Sequence, residues 1–460
     1  MRILFIYPNI NGYHVDAYSF GLASIVAIAK SKGHVVKVVI LKSKEEYDGI
    51  MRTIEVFNPN VVGFSSVSSQ FSFVEELAIK IKEKYPSIIT VCGGIHVTIY
   101  PGSILKRKAL DAIFLGESEY SFVDFLDRVE KGKSYKDVDN IGYIDQGAIK
   151  VNKLKPLITN LNDLPYPDKE SCFFKENIRI TGYASFLFSR GCPYLCTYCS
   201  NHAIAKLYNM PVNTPRYRSP ESSIREIEEA KSKFLIKKIL IVDDIFGLDK
   251  KWRDEFCEKY KKCVKIKFQC LLRANLIDEE FIRLLKSAGC CKISIGVESG
   301  SEYIRNKVMN RNMSNKQISK AFELTRKYGL QTNAINIIGI PGETEEMIQE
   351  TISLNRKIKP TTSGINIFYP YKGTKLGDYC FNAGLVDEQA YYNFSNERRA
   401  TILKYPDEYK KKLTYYRENW DNLIYPFDIR RRFRKAIIDT PIINNLRRFK
   451  RYLKHRLTHD

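Results

Sequence analysis

Short apolar runs and amphipathic stretches alternate along most of the chain, and this alternation restricts the fold more than any other feature. Val35 to Leu41, Val61 to Ser65 and Ile88 to Cys92 are nearly continuous apolar runs rich in β-branched residues, as strands covered on both faces require. Phe20 to Lys32, Lys44 to Phe57, Phe71 to Tyr85 and Tyr120 to Glu130 carry apolar residues at helical spacing, and Gly33, Asn58-Pro59 and Pro86 stop the first three. With Ile3 to Tyr7 and Ala112 to Leu115 as further strands, residues 1–145 predict an α/β unit. It is a doubly wound, Rossmann-like parallel sheet with helices on both faces and ligands at the strand carboxyl ends.

Residues 146–182 hold Pro156, Pro165 and Pro167 with little periodicity, and are expected to be a linker. Alternation then resumes. Ala184 to Ser189, Lys238 to Val242, Lys267 to Leu272, Lys292 to Val297, Thr332 to Ile338 and Gly364 to Phe368 read as strands. Between them Glu221 to Phe234, Lys251 to Lys262, Asp278 to Ala288, Ser314 to Tyr328 and Glu343 to Lys357 read as helices. Six such units over 183–385 predict a partial (β/α)6, TIM-like barrel with its chemistry at the strand carboxyl ends. Residues 386–460 are expected to form a helical, basic extension, with Tyr391, Tyr392, Tyr415, Tyr416 and Trp420 packing over the barrel mouth. A chain of 460 residues, 44% of them apolar, has material for more than one core.

The first barrel strand leads into Ser189-Arg190-Gly191-Cys192-Pro193-Tyr194-Leu195-Cys196-Thr197-Tyr198-Cys199, which contains C-x3-C-x2-C. Three thiolates on one loop can hold three corners of a cubane iron–sulfur cluster and leave the fourth iron open for a chelating ligand. A zinc site is the other reading of the same residues, with His202 as a fourth ligand. After the second strand come Asp243 and Asp244, and after the third Arg273-Ala274-Asn275. The fourth runs into Gly296-Val297-Glu298-Ser299-Gly300 and the fifth into Gly339-Ile340-Pro341-Gly342-Glu343.

The cysteine spacing and this order of polar residues resemble the radical S-adenosylmethionine (SAM) enzymes. The resemblance implies a [4Fe-4S] cluster held by Cys192, Cys196 and Cys199, with Tyr198 as the aromatic residue before the third cysteine. SAM would sit on the open iron, and cleavage there would release a 5'-deoxyadenosyl radical. Asp243 and Asp244 would border the cofactor pocket, Glu298 would hydrogen-bond the ribose, and the Gly339 to Gly342 loop would let backbone approach the adenine. The amino-terminal half is similar to the cobalamin-binding domain ahead of many such cores. Asp16-Ala17-Tyr18-Ser19-Phe20-Gly21 has Tyr18 where the cobalt-ligating His of other cobalamin folds stands, and Ser65 and then Gly93-Gly94 follow at matching intervals. On that likeness Ser65, Gly93 and Gly94 would cradle a corrinoid, because a backbone without side chains lets a bulky nucleotide tail lie close. His14 and His96 are the nearby imidazoles, each more readily understood as a polar surface residue.

The resemblance implies methylation of an unactivated carbon by way of cobalamin. Radical cyclisation, oxidation or carbon–carbon coupling on a small-molecule, lipid or natural-product-like substrate is the second enzymatic reading, and a non-catalytic iron–sulfur sensor the third. An electron donor such as flavodoxin or ferredoxin is implied in the first two. Eleven cysteines without a regular framework suit a reducing, cytoplasmic compartment. The amino-terminal apolar run is too short and too strand-like for a signal peptide, and no run of 18 apolar residues exists to span a membrane. The formal charge of +22 suggests a polyanionic partner. Yet residues 430–460 alone hold eleven basic residues against Asp439 and Asp460, a net of +9, mixed with apolar ones as in segments that lie on anionic membranes. Only Cys92 occurs in the first 170 residues, and no further cluster motif follows residue 200; both argue against auxiliary clusters and sulfur insertion into RNA.

Overall fold

The computed structural model describes residues 1–10, 18–394 and 396–427. His14, Asp16 and the basic stretch 430–460 lie outside them. The first unit is a seven-stranded sheet of β1 (Arg2–Pro8), β2 (Val35–Leu41), β3 (Val61–Ser65), β4 (Ile89–Gly93), β5 (Ala112–Phe114), β6 (Ile141–Asp145) and β7 (Ala148–Val151), in the order β2-β1-β3-β4-β5-β6-β7. The first five are parallel, and the order reverses between β1 and β3. Such a switch point opens a crevice beyond the strand carboxyl ends.

Two expectations need correction here. The sheet is not purely parallel, because β6 and β7 form an antiparallel hairpin on its edge. It also runs past residue 145, because β7 lies inside the stretch expected to be a linker. That stretch further contains the helix Phe174–Thr181, whose Phe174 ring lies 5.1 Å from Tyr18 and 5.8 Å from Phe186. Aromatic packing thus welds the two units, and one apolar cluster runs from Ile3 and Phe5 through Phe174 to Phe186 and Ile239.

The second unit is a six-stranded parallel sheet of β8 (Ala184–Phe186), β11 (Ile239–Ile241), β12 (Phe268–Leu272), β13 (Cys290–Glu298), β14 (Gln331–Ile338) and β15 (Thr362–Ile367). Its strands neighbour one another in chain order, the arrangement of a partial barrel. The helices begin at side-chain caps: Asp249, Asp278, Ser314 and Thr344 each accept a hydrogen bond from a first-turn amide. The expected first strand is shorter than predicted. It ends at Phe186, and Ser189–Cys192 (β9) pairs antiparallel with Asn213–Tyr217 (β10) as a separate ribbon.

The carboxyl-terminal helix Asp407–Ile424 packs along the flank of β15 rather than over the mouth. Leu413, Tyr416, Trp420 and Ile424 cluster with Ile338, Ile348, Ile352 and Ile367, and Trp420 Nε1 donates to Ser363 Oγ at 2.9 Å. Tyr391 instead lies 5.4 Å from Tyr369, and the Tyr392 hydroxyl meets that of Tyr100 on the first unit at 2.8 Å. Among the described residues no helix is long and apolar enough to cross a membrane.

Candidate functional site

The cysteine loop is held at several points. Thr197 donates its amide to Met309 O (3.1 Å) and its hydroxyl to Val308 O (2.7 Å), while Thr197 O accepts from the Leu376 amide at 2.8 Å. Asn310 Nδ2 reaches Leu195 O at 2.9 Å. Two buried guanidiniums approach one thiol: Arg273 lies 3.6 Å and Arg311 3.9 Å from Cys196 Sγ. Burial pushes the Cys192 thiol up to about 11 and that of Cys199 up to about 12, with Asp244 and Cys196 raising both further. Among the described residues no three His, Cys, Asp or Glu side chains, the three cysteines included, are gathered closely enough to hold a metal ion, and His202 lines a separate cavity.

The other expected residues divide into two groups. Asp244 is exposed and lines the cavity between the units beside Ser200 and Asn201. Asp243 does not line it. It is fully buried, and its carboxylate accepts from the Phe188 amide (2.7 Å) and the Ser189 hydroxyl (2.8 Å), locking the corner between β8 and β9. Both residues lie beyond the end of β11 at Ile241, and the chain there turns Asp243 inward and leaves Asp244 on the cavity side. Glu298 sits at φ 64° and pairs with Arg311 at 3.3 Å, and Arg311 also donates to the Tyr198 hydroxyl at 2.8 Å and to Gly296 O at 3.0 Å. Burial raises Glu298 and Tyr198 above their ordinary values, with Arg311 opposing it in both. Glu298 Oε2 is buried without a partner, so this carboxylate keeps one acceptor for a ligand.

At Gly339 the structure departs from the expected open backbone, while Gly342 has open space around it. The Gly339 amide donates to Glu343 Oε2 at 2.6 Å, Tyr405 OH donates to Gly339 O at 3.3 Å, and Tyr409 OH donates to Glu343 O at 2.9 Å. Gly339 and Gly342 both have positive φ, and a Cβ on Gly339 would meet Leu413 at 3.0 Å. The turn is thus closed by its own carboxylate and backed by the helix Asp407–Ile424. Burial lifts Glu343 to about 8.

Between the units lies a cavity of about 510 Å³. Ser65, Gly93 and Gly94 form part of its wall, with Phe5, Phe64, Phe114 and Phe122 from the first unit and Arg190, Arg216 and Asp244 from the second. Gly94 has φ 100°, and a Cβ there would meet Ser66 O at 2.6 Å. A buried ion network spans the cavity edge. Glu117 takes two hydrogen bonds from Arg216 (2.7 and 2.8 Å), and Glu119 takes one from Arg190 (2.6 Å). The Tyr208 hydroxyl accepts from the Glu117 amide at 3.1 Å. The charges of this network were visible in the sequence, but their pairing across the units was not. Tyr18 packs against Phe20 and Phe174 and does not line the cavity. His96, expected at the surface, is 2% exposed, bound to Ser68 Oγ at 3.0 Å and driven down to about 3 by burial; it too is outside the wall.

Residues 9–126 match the model of the B12 binding domain, and residues 186–354 that of the radical SAM superfamily, together more than half of the chain. The chain belongs to the radical SAM enzymes that carry a B12-binding domain. An uncharacterised methyltransferase of Pyrococcus horikoshii is 27% identical over 372 residues, 80% of this chain and 79% of that one. The anaerobic magnesium-protoporphyrin IX monomethyl ester cyclase of Rubrivivax gelatinosus is 26% identical over 430 residues, covering 88% and 74%. Among solved structures the radical SAM methyltransferase TsrM of Kitasatospora setae shares the fold at TM-score 0.67 and 16% identity, over 84% of this chain and 77% of that one. The cobalamin-dependent SAM radical enzyme OxsB does so at 0.66 and 19%, over 91% and 61%.

The residues of this B12-binding radical SAM enzyme suit the groups its domains imply. Three free cysteines on a pinned loop, with two guanidiniums against Cys196, offer the thiolates and the counter-charge that an iron–sulfur cube needs. The cavity wall at Gly93 and Gly94 leaves bare backbone at the carboxyl edge of the first sheet, and the phenyl rings behind it offer an apolar slot.

Proposed function

We propose that this protein methylates an unactivated carbon of a small-molecule substrate held in the cavity between its two units. When bound, the cluster with SAM supplies one-electron cleavage of a carbon–sulfur bond, and cobalamin supplies a methyl carrier. Cys192, Cys196 and Cys199 hold the cluster, and Arg273 and Arg311 offset the charge at Cys196. Glu298 offers its free oxygen to the nucleoside, held in place by Arg311, while Tyr198 flanks it. Asp244 presents its carboxylate to the cavity beside the cysteines. Ser65, Gly93 and Gly94 cradle the corrinoid, and the Glu117–Arg216 pair closes the edge of the cavity against water.

The observation that carries this reading is one cavity walled on one side by the glycine edge of the first sheet and on the other by the ribbon that bears Cys192. Anaerobic reconstitution followed by iron, sulfide and cobalt analysis tests it. We expect bound cobalt in the wild type and loss of reductant-dependent deoxyadenosine formation in Cys196→Ala; a protein without cobalt would remove the methyl-transfer claim. The cyclase relative supports a second reading, ring closure without methyl transfer, and a product no heavier by one methyl would favour it. We assign the basic stretch 430–460 to contact with anionic lipid. Its deletion should lower sedimentation with anionic vesicles, and unchanged sedimentation would reject the assignment.

A further inference from the structure

The helix Ser200–Leu207 starts at Cys199, which is its N-cap residue, and it separates two cavities. Ser200, Ile204 and Tyr208 face the cavity between the units, whereas His202, Ala203 and Lys206 line a second one of about 770 Å³. At about 100° per residue these sets fall on opposite sides of the helix. The far wall of the second cavity is the helix Lys375–Asn382, which contributes Lys375 and Tyr379. That helix is also tied to the cysteine loop, through the Leu376 amide on Thr197 O at 2.8 Å. Both walls of the outer cavity are therefore extensions of the loop that carries the thiols.

The outer cavity is positively charged. Lys206 and Lys375 are exposed, and they add to burial, the main cause, in lowering the proton affinity of His202. Among the described residues neither ammonium has a carboxylate within ion-pairing distance, whereas Lys372 and Lys412 do. Asp378, the carboxylate in the wall, accepts from the Gly373 amide at 2.7 Å. Tyr379 stands 55% exposed at the rim. Two unpaired ammoniums around a concave, aromatic-edged surface fit an acidic protein.

From this placement we infer that the His202–Lys206–Lys375–Tyr379 cavity docks a small acidic one-electron carrier protein, which reduces the cluster from the side opposite the substrate. The inference rests on the proposed cluster. The cavity between the units is to be filled by substrate and cofactors, and none of the three cysteines lines either cavity, so the outer one is left to a protein donor. Lys206 lies seven residues beyond Cys199, about 10 Å along the helix. One electron leaves the reduced carrier, which is oxidised by one equivalent, and enters the oxidised cluster, with no bond made or broken. Encounters of this kind bury little surface and depend on charge for their rate.

The test uses the full-length, anaerobically reconstituted protein and its Lys206→Glu/Lys375→Glu variant. Cluster reduction is followed by freeze-quench electron paramagnetic resonance with reduced flavodoxin as donor, and in parallel with photoreduced deazaflavin, an uncharged small reductant. We expect the flavodoxin rate constant to fall by about tenfold or more at low salt and to lose its salt dependence, while the deazaflavin rate stays unchanged. The Lys206→Gln/Lys375→Gln variant should fall between. An unchanged flavodoxin rate, or an equal loss with both reductants, would overturn the inference. A protein with no reducible cluster in either assay would instead overturn the underlying reading of the site.

Discussion

Arg311 shows how one side chain can serve a ligand, a thiol and the fold together. Its guanidinium is buried against Glu298, the Tyr198 hydroxyl, Gly296 O and Cys196 Sγ. Removing it leaves the Glu298 carboxylate buried without its partner, which typically costs about 3–5 kcal/mol. We expect Arg311→Leu to lose stability on that scale in denaturant titration, and Arg311→Leu/Glu298→Gln to lose less than the two single changes combined. A sum of the single effects would show that the pair is not coupled. The sequence could not identify Arg311, because it lies in an irregular segment and its partners come from β13 and from a loop over a hundred residues away. Cys192, Cys196 and Cys199 were legible because their spacing is itself the chemistry. Asp243 and Asp244 were legible only as a pair: which one turns inward is decided by the Phe188 amide and Ser189 hydroxyl that donate to Asp243 from a neighbouring segment.

At the scale of elements, the turn after β14 and the loop after β4 make contrasting predictions. Glu343 has its carboxyl group raised to about 8 from an ordinary value of 4.5 by burial. The folded state therefore binds this proton more tightly than the unfolded chain. Stability from this group is fully present below about pH 4.5 and is lost as pH rises through about 8. Glu343→Gln, which keeps an acceptor for the Gly339 amide, should flatten that part of the fall in melting temperature between pH 5 and pH 8. An unaltered slope would contradict the assignment. Gly94→Ala places a methyl group 2.6 Å from Ser66 O at φ 100°, so we expect reduced cobalt content after reconstitution together with a lower melting temperature. β3 was readable residue for residue because two-sided burial leaves an unbroken apolar run, and β2, an edge strand with Val35 and Lys37 exposed, was readable from its β-branched residues. β10 was not. Its Asn213-Thr214-Pro215-Arg216-Tyr217 contains a proline and no apolar alternation, and it exists because it pairs with β9 and because Arg216 reaches Glu117.

For the whole molecule, the join between the units matters more than either unit's topology. The shared apolar cluster and the Glu117–Arg216 and Glu119–Arg190 pairs tie the glycine edge of one sheet to the ribbon of the other. Glu117→Ala should cost about 3–5 kcal/mol, because two largely buried guanidiniums lose a carboxylate. Thermal unfolding should remain a single transition, given the continuous core; two separated transitions in calorimetry would show that the join is weaker than its packing implies.

Cys192 closes a ribbon whose backing wall is supplied by residues that precede it in the chain. A chain emerges amino end first, and its early domain folds as it appears. By the time the three thiols leave the ribosome, one wall beside their ribbon is already assembled, but Met309, Asn310 and Leu376, which pin the loop itself, are still to come. Iron meets a finished mould only once the chain beyond the cysteines has folded too, and maturation of the metal centre becomes contingent on both halves.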